Sequence, residues 1–380
     1  MAKRGENIYK RKDGRWEARV IRGYDEHDKA LYSYFYGRTY KEAKDKIFTT
    51  LAHSKDNEIM ASCESEETTL FEKVLESWLG NKKLRIKESS YVKYFNLINN
   101  HINPILGKHP ISSITSSVLN AYVTEKFTSG KSDKTGGLSE KTIRDIVSII
   151  KSVLRFAKEE SLLAEVNINI TIPREKSKEM RVLTKDEQAT LEKHLCSSID
   201  ESKLGVLVCM YTGLRIGEIC ALKWSDISLE KNMLTVSRTM QRVQTLEDVQ
   251  SPKTKVIITD PKSDCSTRTI PIPDCLVEKL RVFCPAHHNA FILTGETGRY
   301  IEPRTYQNHF KSYIADSGIK DANFHTTRHT FATRCVEVGF EIKSLSEILG
   351  HANVNITLDR YVHPSFDLKR SNMNKLAFSC

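Results

Sequence analysis

Apolar residues change their spacing several times along the chain, and each change marks a different kind of element. Near the start, "RKDGRWEARVIRG" (11–23) reads as a tight Asp-Gly turn running into a strand, and "KALYSYFYGR" (29–38) as a second strand dense in aromatics. "TYKEAKDKIFTTLA" (39–52) shifts to helical spacing, with Ala43, Ile47 and Leu51 on one face. Residues 53–67 lose periodicity and turn acidic, which predicts a linker.

From 68 to 172 the pattern is helical throughout. Leu70, Val74, Leu75 and Trp78 form one stripe. "SSYVKYFNLINNHINPILG" begins at a candidate Ser cap and stops near Pro104 and Gly107. "SSVLNAYVTEKF" is a third helix, and 139–163 a long fourth one capped by Ser139, after a polar loop at 128–137. Pro173 and the charged run 174–181 mark a boundary. Beyond it, "LTKDEQATLEKHL" predicts a helix starting at a threonine before an acidic first turn. "LGVLVCMYTGLRIGEICALKWSDI" (204–227) predicts an apolar helix, a glycine break and a second helix carrying Arg215. Stretches 232–240 and 255–272 alternate like strands, and helical segments fill the rest.

Composition narrows the class. The 380 residues fit two or three domains, and 39% hydrophobic with 28% charged residues is ordinary for globular protein. A net charge of +10 points to a polyanionic partner. No apolar run approaches the ~20 residues of a membrane span, and the basic start lacks the apolar core of a secretory signal. Nine cysteines without a CxxC pair read as reduced thiols of a cytosolic protein. "CPAHHNAF" (284–291) lacks the second ligand pair of a closed zinc site.

Five short pieces of the last two hundred residues hold cationic or acid–base side chains: "TGLRIGE" (212–218), "DPKSDCSTRTIPI" (260–272), "HTTRHTFAT" (325–333), "LGH" (349–351) and "LDRYVH" (358–363). Taken singly each has a bland reading: Arg215 pairs with Glu218 on a helix surface, Lys262 is a solvated turn lysine, His329 caps or packs. Taken together they differ. "HTTRH" on a helix sets His325 and Arg328 on one face at i, i+3, with His329 beside them. It is not a zinc-protease HExxH, because Thr326 stands where the Glu base belongs. Two arginines, a lysine, several histidines and a late tyrosine, with no carboxylate cluster for magnesium, suit attack on a phosphodiester. Guanidinium forks match the charge gathering on the non-bridging oxygens. A tyrosine of pKa about 10 needs a base or a positive field to attack. The leaving 5′ oxygen needs a proton from lysine or histidine.

On the ordered boxes "TGLR.GE", "H..R", "LGH" and "Y", the C-terminal half resembles the catalytic domain of tyrosine site-specific recombinases, the lambda-integrase family. The whole chain is similar in organisation to integrases of conjugative transposons and phages. The resemblance implies a multidomain fold: a small β-sheet-plus-helix arm-binding module (1–62), an all-α, SAM-like core-binding domain (63–173), and a mainly-α catalytic domain with a small antiparallel β-sheet (174–380). Arg215 and Arg328 would clamp the scissile phosphate, and His351 would hydrogen-bond it. His325 would act as general acid/base. Tyr361 would attack, forming a 3′-phosphotyrosyl link. Lys262, in the turn ahead of "STRTIPI", would protonate the 5′ oxygen; Lys253 and Lys255 lie near and are the alternatives. Arg11, Arg15 and Arg19 would contact arm-site DNA, and Lys93 and Arg144 core-site phosphates.

The resemblance further implies double-stranded DNA as partner, a homodimer or homotetramer on it, an excisionase-type accessory protein, a bacterial cytoplasmic, nucleoid-associated location, and neither metal nor other cofactor. A type IB topoisomerase and a catalytically silent DNA-binding regulator are the alternatives. Leu368, Met373, Leu376 and Phe378 offer an apolar face on the tail, for docking on a neighbouring protomer or folding back on its own domain.

Overall fold

The structure is a computed structural model. It describes residues 8–11, 14–24, 30–42, 44, 46, 69–131, 135–165, 168–174, 180–246, 252–260, 267–362, 370 and 373. The expected linker 53–67, the 39–52 face (Ala43, Ile47, Leu51), Lys262, and Leu368, Leu376 and Phe378 of the tail lie outside the described residues. The chain divides into two compact units, Met1–Arg85 with Tyr94–Pro173, and Ile86–Lys93 with Arg174–Cys380.

In the first unit, β1 (Ile8–Lys10), β2 (Trp16–Tyr24) and β3 (Ala30–Gly37) form an antiparallel sheet in the order β1-β2-β3. Alternation sorts its faces. Ile8, Trp16, Ala18 and Phe35 pack together with Tyr40, whose ring meets Trp16 edge-on at 5.3 Å. Register sets Tyr9 opposite Glu17, Glu17 opposite Tyr36 and Arg19 opposite Tyr34, and the three tyrosines are exposed.

Helices between residues 69 and 173 include α1 (Phe71–Lys83), α2 (Glu88–Leu97), which the division crosses at Tyr94, α3 (Ser116–Ser129) and α4 (Glu140–Glu159). α1 buries Phe71, Val74, Leu75, Trp78 and Leu79, and the Trp78 indole N–H donates to Ser152 Oγ on α4 at 3.2 Å. Ser139 caps α4 as the sequence predicts, accepting from the Thr142 N–H at 3.2 Å. The cap expected at the serines of α2 is not formed: the helix opens at Glu88, one residue earlier, where the acid faces the positive helix end.

The second unit holds α5 (Lys185–Ser197), α6 (Glu201–Thr212), α7 (Ile216–Ala221), α8 (Asp274–Phe283), α9 (Pro303–Asp316), α10 (Phe324–Glu337), α11 (Ile342–Leu349) and α12 (Val354–Tyr361). Thr184 and Glu187 form a reciprocal capping box at α5. From Leu204 to Met210 α6 is apolar on every face because it is buried on every face, in a core with Trp224, Tyr306 and Phe310. Each such large side chain contributes about 1.5–3 kcal/mol by burial.

Each of the two stretches expected to alternate like strands holds two strands, and in the second the turn expected ahead of "STRTIPI" lies among residues outside the described ones. Residues 232–240 split into β5 (Met233–Val236) and β6 (Thr239–Gln244), and 255–272 into β7 (Thr254–Thr259) and β8 (Arg268–Pro271). With β4 (Ile227–Ser228), β5 and β8 make one antiparallel sheet, while β6 and β7 make a separate hairpin. The switch falls at Arg238, which leaves the ladder and pairs with Asp226 at 2.6 Å. Lys255 stands on the β6–β7 hairpin and Lys253 in its connection, where the Lys253 carbonyl accepts from Thr245 N–H.

Candidate active site

Two helices of the second unit end alike. α6 turns into left-handed backbone at Gly213 (φ 66°) and α11 at Gly350 (φ 64°). Glycine meets that conformation without a Cβ penalty, and the cap leaves carbonyls of the last turn free at the negative end of the helix. Both arginines of the expected clamp anchor there. Arg328 on α10 donates from Nη1 to Gly213 O at 2.8 Å and from Nη2 to Leu349 O at 2.7 Å. Arg215, at the start of α7, donates from Nη2 to Gly350 O at 3.1 Å.

Beneath them sits Glu218, only 4% exposed. Its carboxylate accepts from Arg215 Nη1 at 2.8 Å and the Arg215 backbone N–H at 2.9 Å. Arg268 on β8 grips the same carboxylate with both terminal nitrogens, at 3.1 and 2.9 Å, and its Nε–H donates to Ile348 O at 2.6 Å. Burial alone would raise the Glu218 carboxyl; the Arg268 hydrogen bonds and charge, with Arg215, outweigh it and hold it at about 2. Arg328 is 3% exposed; burial and the charge of Arg215 lower it to about 9, so it stays charged at neutral pH.

Arg215, His325, Arg328, His351 and Arg360 line an open cavity of about 300 Å³. Among the described residues no acid lines it, which suits an anion. His351 follows the Gly350 cap. Its Nε2 accepts from Arg328 Nη2 at 3.0 Å, which makes Nδ1 the protonated nitrogen, donating to Thr357 Oγ1 at 2.8 Å. Partial burial, then Arg328, Arg215 and Arg360, depress His351 to about 3, so it is neutral here. His325 is lowered by partial burial and by Arg328 and Arg215.

Tyr361 ends α12 and is not among the residues lining the cavity. It is 5% exposed and packs with Ala332, Cys335, Leu345 and Leu349. Its hydroxyl hydrogen-bonds His329 Nδ1 at 2.9 Å, and its ring lies parallel to that of His351, centroids 6.4 Å apart. His329 is depressed to about 4 by burial, then by the charges of His325 and Arg360.

The structure thus brings Arg215, His325, Arg328 and His351 to one cavity, with Tyr361 directly behind it. Three residues were not singled out as site residues from sequence: Glu218 beneath the clamp, Arg268 across it and His329 on the tyrosine. The "RIGE" spacing was the signal for Glu218, and a second histidine in "HTTRH" the signal for His329.

Among the other candidates, Arg11 pairs with Glu17 and lies 5.7 Å from the Tyr36 ring centre, with Arg15 at 5.8 Å from the same ring. Arg19 lies 5.1 Å from the Tyr9 ring. These contacts set arginines and exposed tyrosines on the same side of the sheet. Lys93 is exposed on α2, and Arg144 is exposed on α4, paired with Glu140. Among the described residues no group of three His, Cys, Asp or Glu is placed to hold a metal, and no helix is long and apolar enough to cross a membrane.

The chain matches known families and proteins. The Phage integrase family matches residues 181–367, and the Phage integrase N-terminal SAM-like domain matches 70–127. A tyrosine recombinase XerC-like protein of Caldanaerobacter subterraneus subsp. tengcongensis is 30% identical over 370 residues, covering 90% of this chain and 91% of its own. In fold the chain is similar to the Tn1549 transposon integrase solved with a circular intermediate DNA (TM-score 0.67, 21% identity, 81% of this chain and 99% of that one). It is also similar to a lambda integrase dimer bound to a COC' core site (TM-score 0.58, 19% identity, 95% and 97%).

Proposed function

Since the chain belongs to the phage integrase family of tyrosine recombinases, and so performs site-specific DNA recombination, we propose that Tyr361 is its nucleophile and the arginine-lined cavity its scissile-phosphate site. The observation that carries this reading is the set of helix-end carbonyls that hold Arg215 and Arg328 at a cavity with no acid among its described lining residues. Their positive charge is fixed before substrate arrives, as stabilisation of a phosphoryl-transfer transition state requires.

The Tyr361 oxygen attacks phosphorus, and the bond to the 5′ oxygen breaks. His325 takes up and returns the tyrosine proton. Lys262, outside the described residues, supplies the proton for the leaving 5′ oxygen. The 3′-phosphotyrosyl link retains the ester, so a 5′ hydroxyl from the partner strand rejoins it by the reverse steps without nucleotide hydrolysis. A phosphate in the cavity offers His351 Nε2 an anionic partner in place of the Arg328 N–H, which favours its protonated, donating form.

The reading extends to three parts. Residues 1–62 would bind arm-site DNA through Arg11, Arg15 and Arg19; 63–173 would grip core-site DNA, with Lys93 and Arg144 on phosphates; 174–380 would carry the chemistry. The chain would act in the bacterial cytoplasm as a dimer or tetramer on DNA, integrating and excising a mobile element, with an excisionase-type protein setting direction. The test is covalent trapping on a nicked duplex from the element's end. The wild type should form a protein–DNA adduct, and Tyr361→Phe none. An adduct with the Phe variant, or none with the wild type, would overturn the assignment.

A further inference from the structure

Resting on that reading, we propose that Arg360 is a further contact to the scissile phosphate, carried by the nucleophile's own helix. Arg215 and Arg328 line the cavity with terminal nitrogens already engaged by protein oxygens. Arg360 differs. It is exposed, it lines the same cavity, and among the described residues its guanidinium has no hydrogen-bond or ion-pair partner. An arginine has five N–H donors, so this one keeps a whole fork available for an anion.

Its place on α12 explains why it faces the cavity when Tyr361 does not. Consecutive helical residues point about 100° apart, so α12 turns Tyr361 onto the apolar cluster and Arg360 toward the anion site. The charge of Arg360 lowers His325, His329 and His351 alike, in keeping with its place on the cavity lining. A phosphate held by Arg360 as well as by Arg215 and Arg328 fixes α12 against the DNA. The residue next to the nucleophile is thereby tied to the atom it attacks.

The test uses the full chain with Tyr361→Phe, so that binding is read without chemistry. Two duplexes are compared, one natural and one bearing an uncharged methylphosphonate at the cleavage position mapped by wild-type trapping. Adding Arg360→Gln should weaken binding to the natural duplex about tenfold, the size of one charge-assisted hydrogen bond. On the methylphosphonate duplex the same substitution should cost less than about twofold. Arg360→Lys, which keeps the charge and loses the fork, should fall between wild type and Gln on the natural duplex. Equal losses on both duplexes, or no loss on the natural one, would overturn the contact while leaving the recombinase reading intact. Failure of the wild type to form any adduct would instead overturn the reading and this contact with it.

Discussion

α10 presents one continuous stripe, its His325 and His329 rings 5.2 Å apart, to two surroundings of opposite character, a cavity face and a tyrosine face. One carries His325 and Arg328 to the cavity, where the arginine's terminal nitrogens are tied to Gly213 O, Leu349 O and His351. The other carries His329, whose ring nitrogen holds Tyr361 among Ala332, Cys335, Leu345 and Leu349. At the first face Arg328 is charged, buried and over-determined by hydrogen bonds. The second is apolar, and among the described residues the tyrosine hydroxyl is held there by a single hydrogen bond. Rigid charge and a loosely tethered nucleophile are what phosphoryl transfer asks for: the field must not reorganise, and the attacking atom must move.

The first face breaks most severely when its counter-charge is removed. Glu218→Gln leaves Arg268, 9% exposed, without its carboxylate and Arg215 with only Gly350 O. Stranding a buried charge costs about 3–5 kcal/mol, so chemical denaturation should show a loss in that range. A loss under about 1 kcal/mol would mean the network is not holding the clamp. Next comes Arg328→Ala, which removes one transition-state donor. Single-turnover adduct formation should fall about 10²–10³-fold at saturating DNA. A variant that cleaves within tenfold of wild type would displace Arg328 from the clamp.

How much of this was legible in the sequence follows from what each feature depends on. The order of the boxes, the helical setting of "HTTRH" and the glycine break at Gly213 were legible, because they rest on local spacing and on φ > 0 at a glycine; the matching break at Gly350 was not singled out. That those breaks feed carbonyls to arginines more than a hundred residues away was not, since it depends on how α6, α10 and α11 pack. Arg215 and Glu218 read as a surface pair at i, i+3. The pair exists, but burial and Arg268 turn it from a solvated contact into the floor of the site. The reading of 232–240 did not separate β5 from β6, because alternation alone does not mark where a chain changes sheets. The inward turn of Tyr361 was hidden for the same reason: a helix's last residue can face either way until its neighbours are known.

Acid should weaken both faces, with signs that agree. The folded His329 and His351 protonate at about 4 and 3, below the ordinary 6.5, so the unfolded chain takes up protons first as pH falls. Stability from these groups is complete above pH 6.5 and declines through pH 4 and 3. Glu218, at about 2 against an ordinary 4.5, adds a decline that begins below pH 4.5. Each group contributes a slope of at most about 1.4 kcal/mol per pH unit. Denaturation midpoints should therefore fall steadily from pH 6.5 to 4, and His329→Asn should flatten that range. DNA should shift the decline to lower pH by favouring protonated His351. Unchanged midpoints across this window would mean that the two histidines titrate as they do in the unfolded chain.

The smallest effect is the most informative about the second face. His329→Leu removes the hydrogen bond to Tyr361, while His329→Asn keeps a polar atom near the position of Nδ1. If the bond restrains the nucleophile, the leucine variant should form adduct on an isolated site about fivefold faster than wild type, matching a hydrogen bond of about 1 kcal/mol. The asparagine variant should stay close to wild type. The opposite pattern, a slower leucine variant rescued by asparagine, would make His329 a group that assists attack. It would also change what α10 is for, since both of its faces would then serve the chemical step.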